Sequence, residues 1–374
     1  MNRFRVSWPV RALAAAAMAA LALALFDPTA PGRGAARAGS EPDTTRAHRY
    51  YRQGLAFYGE GRYVEALQQF QNSTFFDPHG SEVRFAQGLC LLKVGEPAQA
   101  KVQFERALAT SPDHAAAHYN LGLALIALAD TTEARRHLMR ASALAPNTPG
   151  LHRALSRLAE QSGDLPGAVA ELRLERAASP DSAKTHAELG RLLARTGQPD
   201  SALVSLARAV VLDPKLLDAR IEQARVYETL SRPGDAAAAW AAAAAIDTTR
   251  ADLCAAEGVA LFRAGKTAEA VPALQRATRL DPHDAKSSFN LGVAFEAAGQ
   301  NEDALAAYRA ASARDTSYAD PWLNQGALLA RLGKKPEARE AFERYLVLAP
   351  DSPRAPDIRR ALAALTPRRP APGR

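Results

Sequence analysis

The stretch AKSSFNLGVAFEAAGQNEDALAAYRAASARDTSY, residues 285–318, contains two runs of apolar and small residues on either side of Gly299. In each run these residues recur three to four positions apart, which places them on one face of a helix. They are Leu291, Gly292 and Phe295 before the glycine, and Ala304, Tyr308 and Ala311 after it. The stretch therefore predicts two helices joined by a short turn.

The same pattern returns every 34 residues, and nine such windows run from Ala47 to Ser352 without an insertion or a deletion. The eighth place of the window is small: Gly54, Gly88, Gly122, Ser156, Gly190, Ala224, Gly258, Gly292 and Gly326. The twentieth place is always alanine: Ala66, Ala100, Ala134, Ala168, Ala202, Ala236, Ala270, Ala304 and Ala338. Helix axes approach to about 8 Å only where no bulky side chain intervenes, so these two places predict where the helices of each window cross.

The 34-residue period with small residues at two fixed places resembles the tetratricopeptide repeat family. The family's large residue at the twenty-fourth place is present as Phe70, Phe104, Leu138, Leu172, Leu206, Trp240, Leu274, Tyr308 and Phe342. The resemblance covers 306 of the 374 residues. It implies an all-α fold, an α-solenoid in which helix-turn-helix units form a right-handed superhelix and the first helices line a concave groove.

The sequence outside the repeats divides into four further segments. Residues 1–38 are predicted to be a signal peptide or an N-terminal signal anchor with a linker, and residues 39–46 are a linker before the repeats at 47–352. Residues 353–366 are predicted to form a capping helix with Ile358, Ala361, Leu362 and Leu365 on one face, because an open solenoid end needs an amphipathic lid. Residues 367–374 are predicted to be a disordered tail.

The N-terminal segment predicts export, to the bacterial periplasm or cell envelope. Arg3, Arg5 and Arg11 precede an uncharged apolar run from Ala12 to Phe26. Its length suits a signal-peptide core better than the roughly 20 residues that span a bilayer. The extension to Val10 leaves an uncleaved anchor open, and contact with a membrane is expected only in that case.

Composition argues against several function classes. The formal charge is +7, but residues 1–38 contribute +4 and the C-terminal tail +3, so residues 39–366, which contain the repeats, sum to zero and no nucleic-acid partner is expected. His114 and His118 stand four residues apart, yet nothing completes a metal-ligand set and His118 occupies a packing place, so we expect neither a metal nor a cofactor. The residues outside the repeats are too few for a catalytic domain, and no catalytic residues are assigned.

Candidate binding residues lie on the first helix of each window, on the side turned away from its partner helix. The first three windows place an apolar strip there. Its members are Tyr51, Leu55, Tyr58, Phe85, Leu89, Leu92, Tyr119 and Leu123. Aromatic residues at these places also pack between repeats, but leucine at the ninth place indicates a binding surface.

The next three windows place an arginine ladder on the same side, formed by Arg153, Arg157, Arg191, Arg195 and Arg225. Arginine forms bidentate pairs with carboxylates, so one interpretation is a basic band for an acidic segment of a partner. The other interpretation is a self-neutralised surface, because several glutamates, including Glu160, Glu188 and Glu222, lie nearby. Both interpretations stay open on the sequence alone.

Asparagine occupies the sixth place of three windows, at Asn120, Asn290 and Asn324. In the family, asparagines at this place hold the backbone of a bound peptide, and the amide provides both a donor and an acceptor. The sequence as a whole predicts an exported, non-enzymatic scaffold that binds a protein or peptide. The alternative is a membrane-tethered accessory subunit of a bacterial envelope assembly, such as one for secretion, pilus formation or polysaccharide export.

Overall fold

The computed structural model describes residues 42–365, and the elements in that part of the chain are nineteen α-helices. In chain order they are α1 (Asp43–Gly59), α2 (Tyr63–Phe76), α3 (Ser81–Lys93), α4 (Pro97–Thr110), α5 (Ala115–Ala127), α6 (Thr131–Leu144), α7 (Leu151–Gln161), α8 (Leu165–Ala178), α9 (Ala183–Arg195), α10 (Pro199–Leu212), α11 (Leu217–Thr229), α12 (Pro233–Ile246), α13 (Ala251–Arg263), α14 (Thr267–Leu280), α15 (Ala285–Ala297), α16 (Asn301–Arg314), α17 (Ala319–Arg331), α18 (Lys335–Leu348) and α19 (Ala355–Leu365). The predicted all-α repeat architecture is confirmed, and each 34-residue window, called repeat 1 to repeat 9 below, contributes one odd-numbered and one even-numbered helix.

The first helix begins earlier than the repeat count suggests. Helix α1 starts at Asp43, so residues 43–46 of the predicted linker are helical. Asp43 in the first turn places a negative charge beside the exposed N–H groups of the helix N-terminus, which extends the helix upstream of the repeat. The predicted signal segment, the start of the linker and the predicted tail lie outside the described residues. Within residues 42–365, none of the helices has both the length and the hydrophobicity needed to cross a bilayer.

The chain divides into two compact units between Gly95 and Glu96. In the first unit, α1 pairs with α2, and α3 packs against α2. In the second unit, α4 packs on α5, and from α5 onward each odd-numbered helix pairs with the even-numbered helix that follows it. Each even-numbered helix also packs on the odd-numbered helix of the next repeat. The core of the second unit therefore runs from repeat to repeat rather than around one centre.

Close helix contact at the eighth place explains why that place is small. A Cβ atom added at Gly292 would lie 2.6 Å from the Tyr308 ring, and one added at Gly190 would lie 2.5 Å from the Leu206 side chain. Both partners occupy the twenty-fourth place and are fully buried. Where the eighth place is Ser156, its hydroxyl donates to the Ala168 backbone oxygen at 2.9 Å, so the one larger polar residue is satisfied.

The turn within each repeat closes in a left-handed conformation. Gly299 has φ 76°, its N–H donates to the Glu296 carbonyl, and the N–H of Gln300 donates to the Phe295 carbonyl. This hydrogen-bond pair is the Schellman arrangement, which favours glycine at the left-handed residue. Ala129 and Ser231 occupy the equivalent turns with φ 63° and 55°. The repeat imposes this conformation even where the residue has a Cβ that disfavours it.

The predicted capping helix is confirmed as α19, Ala355–Leu365. Its apolar residues Ile358, Ala361, Leu362 and Leu365 pack against the last repeat. Leu323, Phe342 and Tyr345 form the buried cluster that they cover. Arg359 and Arg360 on the other side of α19 are exposed. The amphipathic pattern read from the sequence therefore closes the C-terminal end of the second unit.

Candidate functional site

The candidate site residues stand on the odd-numbered helices at the second, fifth, sixth, ninth, twelfth and thirteenth places of each repeat. Within each unit we call the surface at these places the first-helix face. All sixteen candidate residues lie in the described part of the chain, and each of them is half-buried or exposed. Their contacts differ, and these contacts separate side chains that hold the repeats together from side chains that offer groups to a partner.

In the first unit, the apolar strip contains six of the predicted residues on α1 and α3. Leu55 is 44% exposed, whereas Leu89, Leu92 and Phe85 are half-buried. The Tyr51 ring packs on Phe70 with ring centroids 5.8 Å apart. The Tyr58 ring meets Tyr63 edge to face at 5.3 Å. The tyrosines thus support the helix pair with one edge and present the other edge to solvent, while Leu55 is mainly surface.

In the second unit, the members of the apolar strip are Tyr119 and Leu123 on α5, both half-buried. The Tyr119 hydroxyl faces the backbone of Gly150, where an added Cβ would lie 2.8 Å from the hydroxyl oxygen. Burial, followed by the nearby Glu175 carboxylate, raises the pKa of Tyr119. Tyr119 therefore stays a neutral phenol that packs on the start of repeat 4.

Arg153 is the most deeply placed member of the arginine ladder. Its guanidinium donates to the Thr185 hydroxyl at 2.9 Å and to the Ser182 hydroxyl at 3.3 Å. It also lies 3.5 Å from Glu175, whose side chain is 1% exposed. Glu175 in turn accepts from the Gly150 N–H at 2.8 Å. Arg153 thus ties α7 to α8 and α9 and compensates a buried carboxylate, which is a structural role.

Arg191 and Arg195 in repeat 5 converge on Glu160 in repeat 4. Arg191 donates from both terminal nitrogens to the two carboxylate oxygens at 2.7 Å each, and Arg195 donates to the same carboxylate. Hydrogen bonding from Arg191 lowers the pKa of Glu160. Two cations therefore share one anion across the repeat boundary, and the bidentate geometry commits Arg191 to this contact.

Arg157 and Arg225 are the most accessible members of the ladder, with side chains 65% and 61% exposed. Arg157 reaches Glu188 at 3.2 Å through one nitrogen. Arg225 reaches Glu222 on its own helix at 2.8 Å, also through one nitrogen. A guanidinium has five N–H donors in a planar fork, so a single contact leaves donors directed at solvent. These two arginines can bind a second carboxylate without leaving the first.

A depression of about 480 Å³ lies on the first-helix face across repeats 5 and 6. Ala187, Leu216 and Ile221 provide its apolar surface. The charged residues around it are the cations Lys184, Arg191, Arg225 and Arg250 and the carboxylates Glu188, Asp218 and Glu222. The structure thus brings two members of the arginine ladder together with two cations that the ladder did not include. Charge of both signs lines the depression, so it is nearly neutral overall.

The asparagines divide in the same way. Asn120 donates from its side chain to the Ala116 carbonyl of its own helix at 2.8 Å. Asn324 donates to the Tyr308 hydroxyl at 3.3 Å, and that hydroxyl donates to Glu296 at 2.6 Å. Asn290 is half-buried on α15. Two of the three amides therefore already use one donor inside the protein.

The sequence reading named the local glutamates but not the register that pairs them with arginines. The pairs Arg157–Glu188 and Arg191–Glu160 are 31 residues apart, and the pairs Arg195–Glu160 and Arg331–Glu296 are 35 residues apart. These separations are the 34-residue period less three and plus one. A search for opposite charges at those separations would have found the ties between repeats. Lys184, in contrast, shares its place with one other lysine, Lys286, and Arg250 stands at a place with no other lysine or arginine, so no ladder in the sequence pointed to them.

The predicted packing role of His118 also has a structural basis. Its Nε2 lies 2.8 Å from the Pro112 carbonyl, and the Nδ1 of His114 accepts from the Ala117 N–H at the start of α5. Both histidines are thus engaged with the backbone at helix ends. Among residues 42–365, no three His, Cys, Asp or Glu side chains gather in a way that could hold a metal ion.

Comparison with known proteins gives a consistent family and fold. Models described as tetratricopeptide repeat match residues 91–158, 187–252, 255–319 and 294–353. No curated protein matches the chain. Among solved structures, the C-terminal part of a TPR repeat-containing protein from Cytophaga hutchinsonii is 14% identical, covers 64% of this chain and 99% of its own, and has a TM-score of 0.56. At this identity the likeness establishes the fold alone.

Two further solved structures cover shorter parts of the chain. YrrB, described as a TPR protein with an unusual peptide-binding site, is 22% identical, covers 50% of this chain and 97% of its own, and has a TM-score of 0.46. MamA is 23% identical, covers 43% of this chain and 94% of its own, and has a TM-score of 0.41.

Proposed function

Because this chain belongs to the tetratricopeptide repeat family, we propose that it is an exported, non-enzymatic scaffold that binds a protein partner through its first-helix face. The repeats and the solved structures of similar fold suggest a protein–protein interaction scaffold. Export and the absence of catalysis are parts of the proposal. The observation that carries the binding face is the depression across repeats 5 and 6, where accessible charged groups surround an apolar floor.

The chemistry of the depression favours a partner with an acidic segment. Arg225 keeps donors free beside its contact with Glu222, and Lys184 is exposed at the edge of the depression. Carboxylates of an extended segment would bind these cations, and apolar side chains of the segment would cover Ile221 and Leu216. The carboxylates Glu188 and Asp218 repel acidic groups that come close to them. The acidic residues of the segment must therefore lie opposite the cations and away from these two carboxylates. The arrangement therefore favours specificity over high affinity.

Site-directed photo-crosslinking of the intact protein in its native cell tests the binding face. A photo-crosslinking amino acid at Lys184 lies beside the depression, and the same amino acid at Val204 lies on α10, where Val204 is 73% exposed. The proposal expects a discrete crosslinked protein from position 184 and none from position 204. Equal crosslinking at both positions, or crosslinking from position 204 alone, would place the binding surface elsewhere.

Export is supported by the arginine-flanked apolar run from Ala12 to Phe26. We expect the mature protein to lack residues 1 to about 38, which intact-mass measurement of the native protein decides. A mature protein that retains the apolar run favours the membrane-tethered accessory subunit of an envelope assembly instead. In that arrangement the repeats would hold a fixed large partner beside the membrane. Recovery of the full-length chain in the soluble cytoplasmic fraction would contradict both forms of the proposal.

A further inference from the structure

Two imidazoles face each other inside repeat 3. His118 on α5 and His137 on α6 approach with their Nδ1 atoms 2.8 Å apart. The rings are stacked with centroids 5.1 Å apart, and His118 is buried. A distance of 2.8 Å between two ring nitrogens requires one donor and one acceptor, so a single hydrogen lies between them.

The outer nitrogens decide which ring provides that hydrogen. The Nε2 of His118 lies 2.8 Å from the Pro112 carbonyl, which only accepts, so His118 carries its hydrogen on Nε2 and accepts on Nδ1. His137 then donates from Nδ1, and its Nε2 accepts from the Arg136 guanidinium at 2.9 Å. Both rings are neutral in this arrangement. A further proton on either ring would turn an acceptor toward a donor and break a hydrogen bond.

The charges around His137 also oppose a second proton. Arg136 lies on the same helix, and its own partner Glu133 accepts from it at 2.6 Å. Burial and the Arg136 guanidinium lower the pKa of His137 most, and His118 of α5 and Lys101 of α4 lower it further, to about 4. Among these neighbours Glu133 alone acts in the other direction. On the other side of α6, helix α7 presents His152, which is turned to Glu171 of α8 at 2.7 Å.

The next two repeats provide natural comparisons at the same places. His152 and His186 repeat the contact of His118, with Nε2 at 3.0 and 2.9 Å from the Pro146 and Pro180 carbonyls. The residue equivalent to His137 is Glu171 in repeat 4 and Ser205 in repeat 5. A carboxylate stabilises a protonated imidazole, and a hydroxyl can accept a hydrogen bond from it. Within this series, repeat 3 alone sets a second imidazole against the first.

We propose that the His118–His137 pair is an acid-sensitive latch, whose protonation breaks the hydrogen bond between α5 and α6 and opens repeat 3 while repeats 4 and 5 stay closed. In an opened repeat the His137 ring titrates at the ordinary imidazole value near 6.5. The stability of the closed form relative to the open form therefore decreases as the pH falls below about 6.5, and the decrease is complete near pH 4. From these two values the opening equilibrium of repeat 3 rises about 20-fold between pH 7 and pH 5.

Hydrogen exchange of the full chain at pH 7 and pH 5, corrected for the intrinsic rate at each pH, tests the latch. We expect peptides from α5 and α6 to lose about 20-fold in protection, and peptides from α7 to α10 to lose little. His137→Glu reproduces the pair of repeat 4 and should abolish the loss, and His137→Ser reproduces repeat 5 and should reduce it strongly. Equal losses in repeats 3 and 4, or a loss unchanged in both variants, would overturn the proposal.

Titration of the imidazoles by NMR keeps the proposal testable where a variant fails to fold. His137 should stay neutral at pH 5.5 in the wild-type chain, because its pKa lies near 4. Protonation of His137 near the ordinary imidazole value of about 6.5 would show that the pair carries no penalty for protonation, and the latch would be refuted.

Discussion

Arg191 of repeat 5 and Glu160 of repeat 4 form two parallel hydrogen bonds of 2.7 Å, although 31 residues separate them in the sequence. The Arg191 side chain is 34% exposed and that of Glu160 is 22% exposed, so solvent screens the pair only in part. Hydrogen bonding to Glu160 raises the pKa of Arg191 further. The pair joins α7 to α9. Arg191, which one interpretation of the sequence assigns to a basic band, therefore links repeat 5 to repeat 4.

Arg191→Ala should destabilise the chain by about 1–3 kcal/mol at neutral pH, since it removes hydrogen bonds to a charged group. Arg191 holds the pKa of Glu160 below its ordinary value of 4.5. The stabilisation is therefore present above that value and is lost as the pH falls through the depressed pKa. Urea unfolding at pH 7 and pH 3 should show a difference between wild type and variant at pH 7 that shrinks at pH 3.

The matched control for Arg191→Ala is Arg225→Ala, because Arg225 is 61% exposed and pairs with Glu222 one turn away on its own helix. Exposed pairs of this kind contribute about 0.3–0.5 kcal/mol. Equal destabilisation by the two variants would mean that the tie between repeats adds nothing beyond a surface pair.

Charge reversal at Arg157 and Arg225 should weaken binding of the partner identified by crosslinking. These two guanidinium groups are exposed and use one nitrogen each inside the protein. We expect Arg157→Glu with Arg225→Glu to reduce affinity by about 2–4 kcal/mol at low salt, with a smaller loss at high salt. Isothermal titration at two salt concentrations measures this.

Arg309→Glu serves as the control for the charge reversal, because Arg309 lies on α16 among the even-numbered helices and faces Glu337 at 3.4 Å. It should leave affinity unchanged. If the double reversal also leaves affinity unchanged at both salt concentrations, the arginines of the first-helix face only neutralise the neighbouring glutamates.

Much of the fold follows from the sequence because each packing position recurs in nine repeats with a similar residue. The alanine at the twentieth place and the small eighth place predicted the helix crossings, and the apolar face of residues 355–365 predicted the cap. Ala129 escaped notice, because alanine gives no sign of the left-handed turn that the repeat imposes on it. The site was less predictable, since the number of donors that Arg191 or Arg225 commits depends on side-chain geometry and not on residue type.

Gly292→Ala should destabilise the chain by about 1–3 kcal/mol, because the added methyl group would lie 2.6 Å from the Tyr308 ring. Tyr308 is fully buried and donates to Glu296, so it cannot retreat without loss of that hydrogen bond. Thermal unfolding measures the change. Gly234→Ala is the matched control, since Gly234 lies in α12 with nothing within 4 Å of an added Cβ, and alanine favours helix there. Equal effects of the two substitutions would contradict the close approach.

Trp240→Ala should destabilise the region around repeat 6 by about 3–5 kcal/mol. The Trp240 side chain is 6% exposed, and its indole N–H donates to Glu228 at 3.1 Å. Its cluster consists largely of alanines, which leave little other apolar surface to replace it. Because a solenoid is coupled only between neighbours, calorimetry should show the single transition split into two. A single transition at an unchanged temperature would show that repeat 6 is not the least stable repeat of the array.

Because paired charges lie 31 or 35 residues apart, close to one repeat length, the array can lose one whole repeat and form such pairs again. Removal of residues 183–216, one whole repeat, would bring Arg225 into the place of Arg191 opposite Glu160 and Glu222 into the place of Glu188 opposite Arg157. The shortened chain would thus recover these two charge pairs with different members, while Thr229 in the place of Arg195 would leave Glu160 with one cation. Unequal recombination between neighbouring repeats can therefore shorten or lengthen the protein in steps of 34 residues, and circular dichroism of the deletion variant should show unchanged helix content per residue. A loss of helix well beyond the deleted residues would show that the repeats are not interchangeable.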